Sequence, residues 1–110
     1  MLSEAQIDHF HDRGYLVVEN VLGPEVLDPV RREYAAKLDD LYDAWLAEGL
    51  VPEAEGFWPR LSAAYAAGCD WFQPLDISLP GDEIEADTPF HFGPAVFDMV
   101  TAPRLLDLVE

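Results

Sequence analysis

The fold is decided by residues 23–49, which read GPEVLDPVRREYAAKLDDLYDAWLAEG. Pro24 suits the first position of a helix, where its missing amide costs nothing, and Gly49 is a helix-stop signal. Between them, large apolar side chains recur every three or four residues, at Val26, Val30, Tyr34, Leu38, Leu41 and Trp45. This spacing predicts a long amphipathic helix over roughly 24–48, with a possible restart at Pro29 for which Asp28 would be the cap.

The chain before this segment predicts a shorter helix and a strand. Ser3 and Gln6 have the spacing of a capping box, in which each side chain bonds the other residue's amide. Gly14 stands where a left-handed helix stop is expected, so the helix covers about 4–12. The run Tyr15-Leu16-Val17-Val18 does not alternate with polar residues, which is typical of a strand buried on both faces.

The predicted elements after Gly49 are short and are separated by proline and glycine. In order, they are a loop at 50–59, an alanine-rich helix at about 60–67 that ends at Gly68, a helix at Ala95–Val100, and a last helix that Thr101 caps. From Cys69 to Pro94 the chain mixes prolines and glycines with aromatic residues, which predicts irregular structure that packs against something. The fold class expected from the sequence is therefore mainly α with one short strand.

Composition restricts the possible partners. The chain has 110 residues and a formal net charge of −16, and half of its residues are hydrophobic, so one domain or part of one is expected. Nucleic-acid and membrane partners are disfavoured because both need clustered Lys and Arg. The excess of acidic residues is explained by a surface that keeps the protein in solution, or by adaptation to a salty cytoplasm. With one cysteine, no signal-peptide pattern and no apolar run of about 18–20 residues, a cytoplasmic protein is expected.

The residues that could carry chemistry do not form a known catalytic pattern. A non-haem iron site usually shows His-x-Asp or His-x-Glu, but His9, His11 and His91 are followed two residues later by His11, Arg13 and Gly93. The serines lack the Gly-x-Ser-x-Gly elbow, and Asp70 next to Cys69 disfavours a thiolate. We therefore expect no catalytic, cofactor-binding or metal-binding residue in this chain.

Two aromatic stretches are the remaining candidates for a binding site. They place large rings beside groups that can form hydrogen bonds, at Trp71, Phe90, His91 and Phe92. Ligand pockets have this composition, and so do ordinary contacts between a loop and a core. The sequence leaves both interpretations open, with these four residues as a possible substrate-pocket wall.

The order of elements resembles the amino-terminal region of phytanoyl-CoA dioxygenase-like proteins. The similarity lies in LSEAQIDHF at 2–10, RGYLVV at 13–18 and LGPEVL at 22–27, and it continues in LDISLP at 75–80 and PFHFGPAVFD at 89–98. The resemblance implies an oxygenase that uses Fe(II) and 2-oxoglutarate, is built on a double-stranded β-helix of the jelly-roll or cupin type, and acts on a small organic substrate. In that family a His-x-Asp pair and a distal His hold the iron.

None of those motif residues has a counterpart in this sequence. We therefore expect residues 1–110 to be the amino-terminal, incomplete part of a single oxygenase domain that lacks its barrel. We expect the chain alone to be inactive and to bind neither Fe(II) nor 2-oxoglutarate. An alternative is a small acidic helical module that docks a protein partner through Trp45, Trp58 or Trp71, since aromatic anchors dominate such contacts. A third possibility is a nucleic-acid mimic that binds a basic protein.

Overall fold

The computed structural model describes residues 1–69, 85–87 and 93–110, and in these residues the chain forms five helices and no strand. The helices are α1 (Glu4–Arg13), α2 (Pro24–Ala47), α3 (Phe57–Ala66), α4 (Pro94–Val100) and α5 (Pro103–Val109). The prediction of a mainly helical chain is confirmed. The predicted strand at residues 15–18 is wrong, and the described residues include no part of a barrel.

The first helix has the ends that the sequence predicts. The Ser3 hydroxyl accepts a hydrogen bond from the Gln6 amide at 3.3 Å, and the Ser3 amide donates to Gln6 Oε1 at 2.9 Å. Gly14 follows α1 with φ 79°, and its amide donates to the Phe10 carbonyl at 2.8 Å. Both ends are local, so the capping box and the glycine determine the limits of α1.

The second helix runs without a break from Pro24 to Ala47. The predicted restart at Pro29 does not occur, and Asp28 instead forms an ion pair with Arg31 Nη1 at 2.9 Å. An interior proline removes one amide from the helical ladder and crowds the carbonyl four residues earlier, but Pro29 lies in the second turn of α2 and the helix continues through it. The helix ends as predicted, because Gly49 takes a left-handed conformation with φ 72° just after the cap at Glu48.

The third helix begins earlier than predicted and closes a small core against α2. Gly56, with φ 87°, precedes α3, and Pro59 lies in its first turn, where a missing amide is tolerated. The core cluster consists of Tyr42, Val51 and Ala64, with Trp45, Ala54, Ala63 and Cys69 packed around it. The Tyr42 hydroxyl donates to the Pro52 carbonyl at 2.5 Å, so the loop between α2 and α3 is tied to the same residue.

Arg60 holds α3 against α2. Its Nε donates to the Ala54 carbonyl at 2.8 Å, and its Nη1 lies 2.7 Å from Asp39 Oδ1 and 3.9 Å from Asp43 Oδ1. The guanidinium also stands over the Tyr42 ring, 5.2 Å from its centroid. The Arg60 side chain is only 21% exposed, whereas that of Arg31 is 70% exposed. Because charge-assisted bonds gain strength away from water, the Arg60 contacts contribute more than a surface ion pair does.

We predict that Arg60→Ala lowers the free energy of unfolding by about 2 kcal/mol, because it removes charge-assisted hydrogen bonds at a mostly buried position. The matched control is Arg31→Ala, which breaks an exposed pair on α2 and should cost less than about 0.5 kcal/mol. Urea unfolding of the two variants, followed by circular dichroism, measures the difference. Equal losses would contradict the assignment of Arg60 as the α2–α3 tie.

A carboxylate of α2 holds the start of α4. Glu33 Oε2 accepts a hydrogen bond from the Ala95 amide at 2.9 Å, although the two residues are 62 positions apart in sequence. Gly93, the residue before α4, is buried, and a Cβ atom there would collide with the Glu33 carboxylate. Carboxylates are favourable at helix N-termini because they pair with amides that lack partners in the helix. Glycine at position 93 is therefore what allows Glu33 to reach α4.

The boundary between α4 and α5 differs from the prediction. Thr101 was expected to cap α5, but its hydroxyl donates to the Phe97 carbonyl at 2.7 Å and so belongs to the end of α4. The residue before α5 is Ala102, which is buried and makes no side-chain cap. A threonine hydroxyl can bond backwards to the carbonyl four residues earlier, and here that local bond replaces the cap.

We predict that Gly93→Ala destabilises the protein by about 1 kcal/mol, because the new methyl group displaces the Glu33 carboxylate from the Ala95 amide. The φ of Gly93 is −101°, which alanine adopts without strain, so the cost should come from Glu33 alone. In a Glu33→Ala background the same change should therefore be neutral or slightly stabilising. A thermodynamic cycle by urea unfolding checks this, and an equal cost in both backgrounds would refute it.

Candidate functional site

Residues 15–18 belong to neither a helix nor a strand, and they are not buried on both faces. The exposed fraction is 59% for Tyr15 and 74% for Val17, whereas Leu16 and Val18 are half-buried. One side of the segment therefore faces the protein and the other faces solvent. An unbroken apolar run is also compatible with this arrangement, because burial depends on what packs above and below the segment.

The backbone of this segment is unpaired within the part of the chain that the structure describes. The amides and carbonyls of residues 15–18 form no hydrogen bond with any described residue. The segment begins after the left-handed Gly14 and is followed, after Glu19, by Asn20, which has φ 57°. We call residues 15–18 the open edge, since an apolar segment with free backbone donors and acceptors can accept a strand as partner.

An apolar groove lies on the inner side of the open edge. It has a volume of about 400 Å³ and is lined by Leu2, Ile7, Phe10, Leu16, Val18, Leu108 and Val109. These residues come from α1, the open edge and α5, together with the chain start. On the other side of Leu16, the rings of His9 and Tyr15 meet edge to face with centroids 5.4 Å apart. We call the apolar cavity of about 400 Å³ the N-terminal groove.

A second apolar groove lies between α2 and α3. It has a volume of about 470 Å³ and is lined by Val30, Arg31, Tyr34, Ala35, Phe57 and Trp58. Trp58 is 72% exposed, and its ring meets that of Phe57 edge to face with centroids 5.1 Å apart. The charge of Arg31 at this groove is balanced by Asp28. The arrangement offers an exposed aromatic surface with little net charge of its own.

The residues predicted as a pocket wall lie outside the described residues, namely Trp71, Phe90, His91 and Phe92. Of the three tryptophans predicted as docking anchors, Trp45 packs against the core, Trp58 is exposed, and Trp71 lies outside the described residues. The sequence reasoning missed the open edge. The sequence signal for this segment was an apolar run bounded by Gly14 and Asn20. Both residues adopt left-handed conformations in the structure, which separate the run from the neighbouring helices.

The side chains that could bind a metal are dispersed. His9 and His11 are exposed on α1. Within residues 1–69, 85–87 and 93–110, no three His, Cys, Asp or Glu side chains come together in a way that could hold an ion. The described residues thus present surfaces for docking, at the open edge and in the two grooves, and offer no donor set that fits iron.

We predict that Trp45→Ala lowers the free energy of unfolding by about 2 kcal/mol, because the partly buried indole packs against the core cluster. Trp58→Ala should change it by less than about 0.5 kcal/mol, since most of that side chain is already in water. Urea unfolding of both variants tests the contrast. A large loss for Trp58→Ala would mean that this indole belongs to the core and is not a free surface anchor.

Comparisons with known proteins add no family. No protein-family model matches the chain, and neither the curated proteins nor the solved structures contain a significant match. No helix in the described part of the chain has the length and apolar character needed to cross a bilayer.

Proposed function

We propose that this chain is the amino-terminal region of a phytanoyl-CoA dioxygenase-like enzyme, a cytoplasmic non-haem iron oxygenase that uses 2-oxoglutarate and acts on a small organic substrate. The proposal starts from the resemblance in residues 2–27, where the order is a capped helix, an apolar extended run and a long helix opened by Gly-Pro. The described residues contain that order as α1, residues 15–18 and α2.

The observation that carries the proposal is the open edge. These apolar residues lie between α1 and α2, and their backbone has no hydrogen-bond partner among the described residues. Burying unpaired backbone costs free energy, and leaving apolar strand residues in water loses the gain from their burial. A sheet of an oxygenase barrel would provide both missing partners, because it would pair with the backbone and cover Tyr15 and Val17. In this arrangement α1 and α2 brace the barrel from outside.

The described residues do not fit an iron site, so no catalytic step is assigned to them. His9 and His11 are exposed on one short helix, and no third ligand accompanies them in the described residues. In this class of enzyme, iron activates oxygen with 2-oxoglutarate as the co-substrate. The iron ion needs three protein ligands on one of its faces. Under the proposal, those ligands belong to the barrel, and the residues of α1 and α2 position it.

The test is the reading frame that contains this sequence. We expect it to encode a His-x-Asp pair and a later His beyond Glu110, and its complete product to release carbon dioxide from 2-oxoglutarate only when Fe(II) is present. The matched control is the 110-residue chain, which should neither turn over 2-oxoglutarate nor retain stoichiometric iron after desalting. Replacing the Asp of the His-x-Asp pair by Ala should abolish activity. A frame without these motifs, or iron retained by the short chain, would refute the proposal.

A second function, docking of a protein partner, is favoured by one observation. Trp58 is 72% exposed beside the apolar groove between α2 and α3, and exposed tryptophans often anchor interfaces. The same reading frame separates the two functions, because an independent module needs no iron-binding motif downstream.

A further inference from the structure

We propose that the apolar groove between α2 and α3 docks a basic, amphipathic segment of a partner protein. The proposal goes beyond the oxygenase assignment, and it rests on the docking function given above, for which it names the chemistry of the partner. Two independent observations carry it. One is the exposed aromatic surface at the groove, and the other is a pair of carboxylates beside it that have no basic partner among the described residues.

The aromatic surface sets the position of the contact. Trp58 lies in the first turn of α3 with 72% of its area exposed, and its ring meets that of Phe57 at 5.1 Å between centroids. Val30 and Ala35 of α2 line the same groove. A groove between two helices is a common receptor for the apolar face of an amphipathic helix, and tryptophan is the side chain that most often dominates such contacts.

Unpaired acidic side chains adjoin this surface. Glu53 and Glu55 are exposed, and neither forms an ion pair or a side-chain hydrogen bond in the part of the chain that the structure describes. Glu55 is two residues before Phe57, so their Cα atoms lie within about 7 Å of one another. On the α2 side, Asp28 balances the charge of Arg31 at 2.9 Å. The groove is therefore apolar inside and negatively charged at the start of α3.

Charge also discriminates between the possible occupants. A second copy of the chain carries the same net charge of −16 and is repelled, and a nucleic acid is repelled for the same reason. A segment that presents Lys or Arg beside apolar residues is attracted at long range and provides partners for both glutamates at contact. A basic amphipathic segment is therefore the occupant that matches both the apolar lining and the charge.

The experiment is isothermal titration of the 110-residue chain with designed helical peptides of about 18 residues, or five turns, in about 0.15 M NaCl. Two peptides share one face of Leu and Phe and carry either Lys or Glu on the other face. A third has the composition of the Lys peptide in a scrambled order without an apolar face. We expect the amphipathic Lys peptide to bind at least about tenfold more tightly than either of the others. Equal binding of the Lys peptide and its scrambled form would show charge attraction without a groove, and would overturn the proposal.

Variants of the chain locate the contact. Trp58→Ala should raise the Kd of the Lys peptide by about tenfold or more, because it removes the central anchor. This change is expected to be nearly neutral for folding, so the loss reports on binding. The double variant Glu53→Gln and Glu55→Gln should raise the Kd by about threefold or more, and more strongly at low salt.

The matched control for the two glutamates is the double variant Asp8→Asn and Asp40→Asn. It makes the same change in net charge at exposed positions that do not line the groove. Circular dichroism verifies that each variant keeps its helices. An effect of the control equal to that of the glutamate pair, or an unchanged Kd for Trp58→Ala, would overturn the proposal.

The remaining outcomes separate this proposal from the functions on which it builds. Equal binding of the Lys and Glu amphipathic peptides, lost in Trp58→Ala, would keep the docking function and overturn the basic partner. Binding of none of the peptides would overturn the proposal, and so would self-association that Trp58→Ala abolishes, because it would assign the groove to a second copy. The oxygenase assignment is tested separately, by the complete reading frame and its iron-dependent activity.

Discussion

The described structure depends on the burial of Tyr42 between α2 and α3. Its ring is fully buried, its hydroxyl donates to the Pro52 carbonyl, and the guanidinium of Arg60 stands over its face. A buried tyrosine needs a partner for its hydroxyl, since an unsatisfied polar group inside a protein is costly. The loop after α2 supplies that partner, and α3 supplies the cation. One side chain therefore determines where the loop runs and how α3 lies on α2.

The excess of acidic residues shapes the other contacts of α2. With 22 acids and 6 Lys and Arg residues, most carboxylates cannot find a basic side chain. Arg60 serves two of them, Asp39 and Asp43, and Glu33 uses a backbone amide at the start of α4 instead. A helix N-terminus is a partial positive charge that requires no basic residue. This explains how α2 can hold both α3 and α4 in a chain with so few cations.

Local signals made some elements predictable and left others beyond sequence reasoning. The limits of α1 and α2 follow from Ser3, Gln6, Gly14 and Gly49, whose effects reach only one helical turn. Residues 15–18 were wrongly predicted as a doubly buried strand, because burial depends on tertiary neighbours and an apolar run alone does not reveal how many faces are covered.

The candidate site was harder to predict for the same reason. The predicted pocket wall at Trp71, Phe90, His91 and Phe92 lies outside the described residues, so that expectation remains a prediction. Trp45 lies on the apolar stripe predicted for the long helix, and it packs against the core as that stripe implies. Trp58 falls in the segment predicted as a loop, and its exposure depends on how α3 packs on α2, which no local motif encodes.

The open edge also gives the strong acidity a physical role. An exposed apolar segment with free backbone groups is normally an aggregation hazard, and proteins protect such segments with charge. A net charge of −16 opposes indiscriminate contact between copies, because any approach brings acidic surfaces together. The repulsion would therefore limit contact between copies at residues 15–18 until, under the oxygenase proposal, the sheet of the barrel covers them.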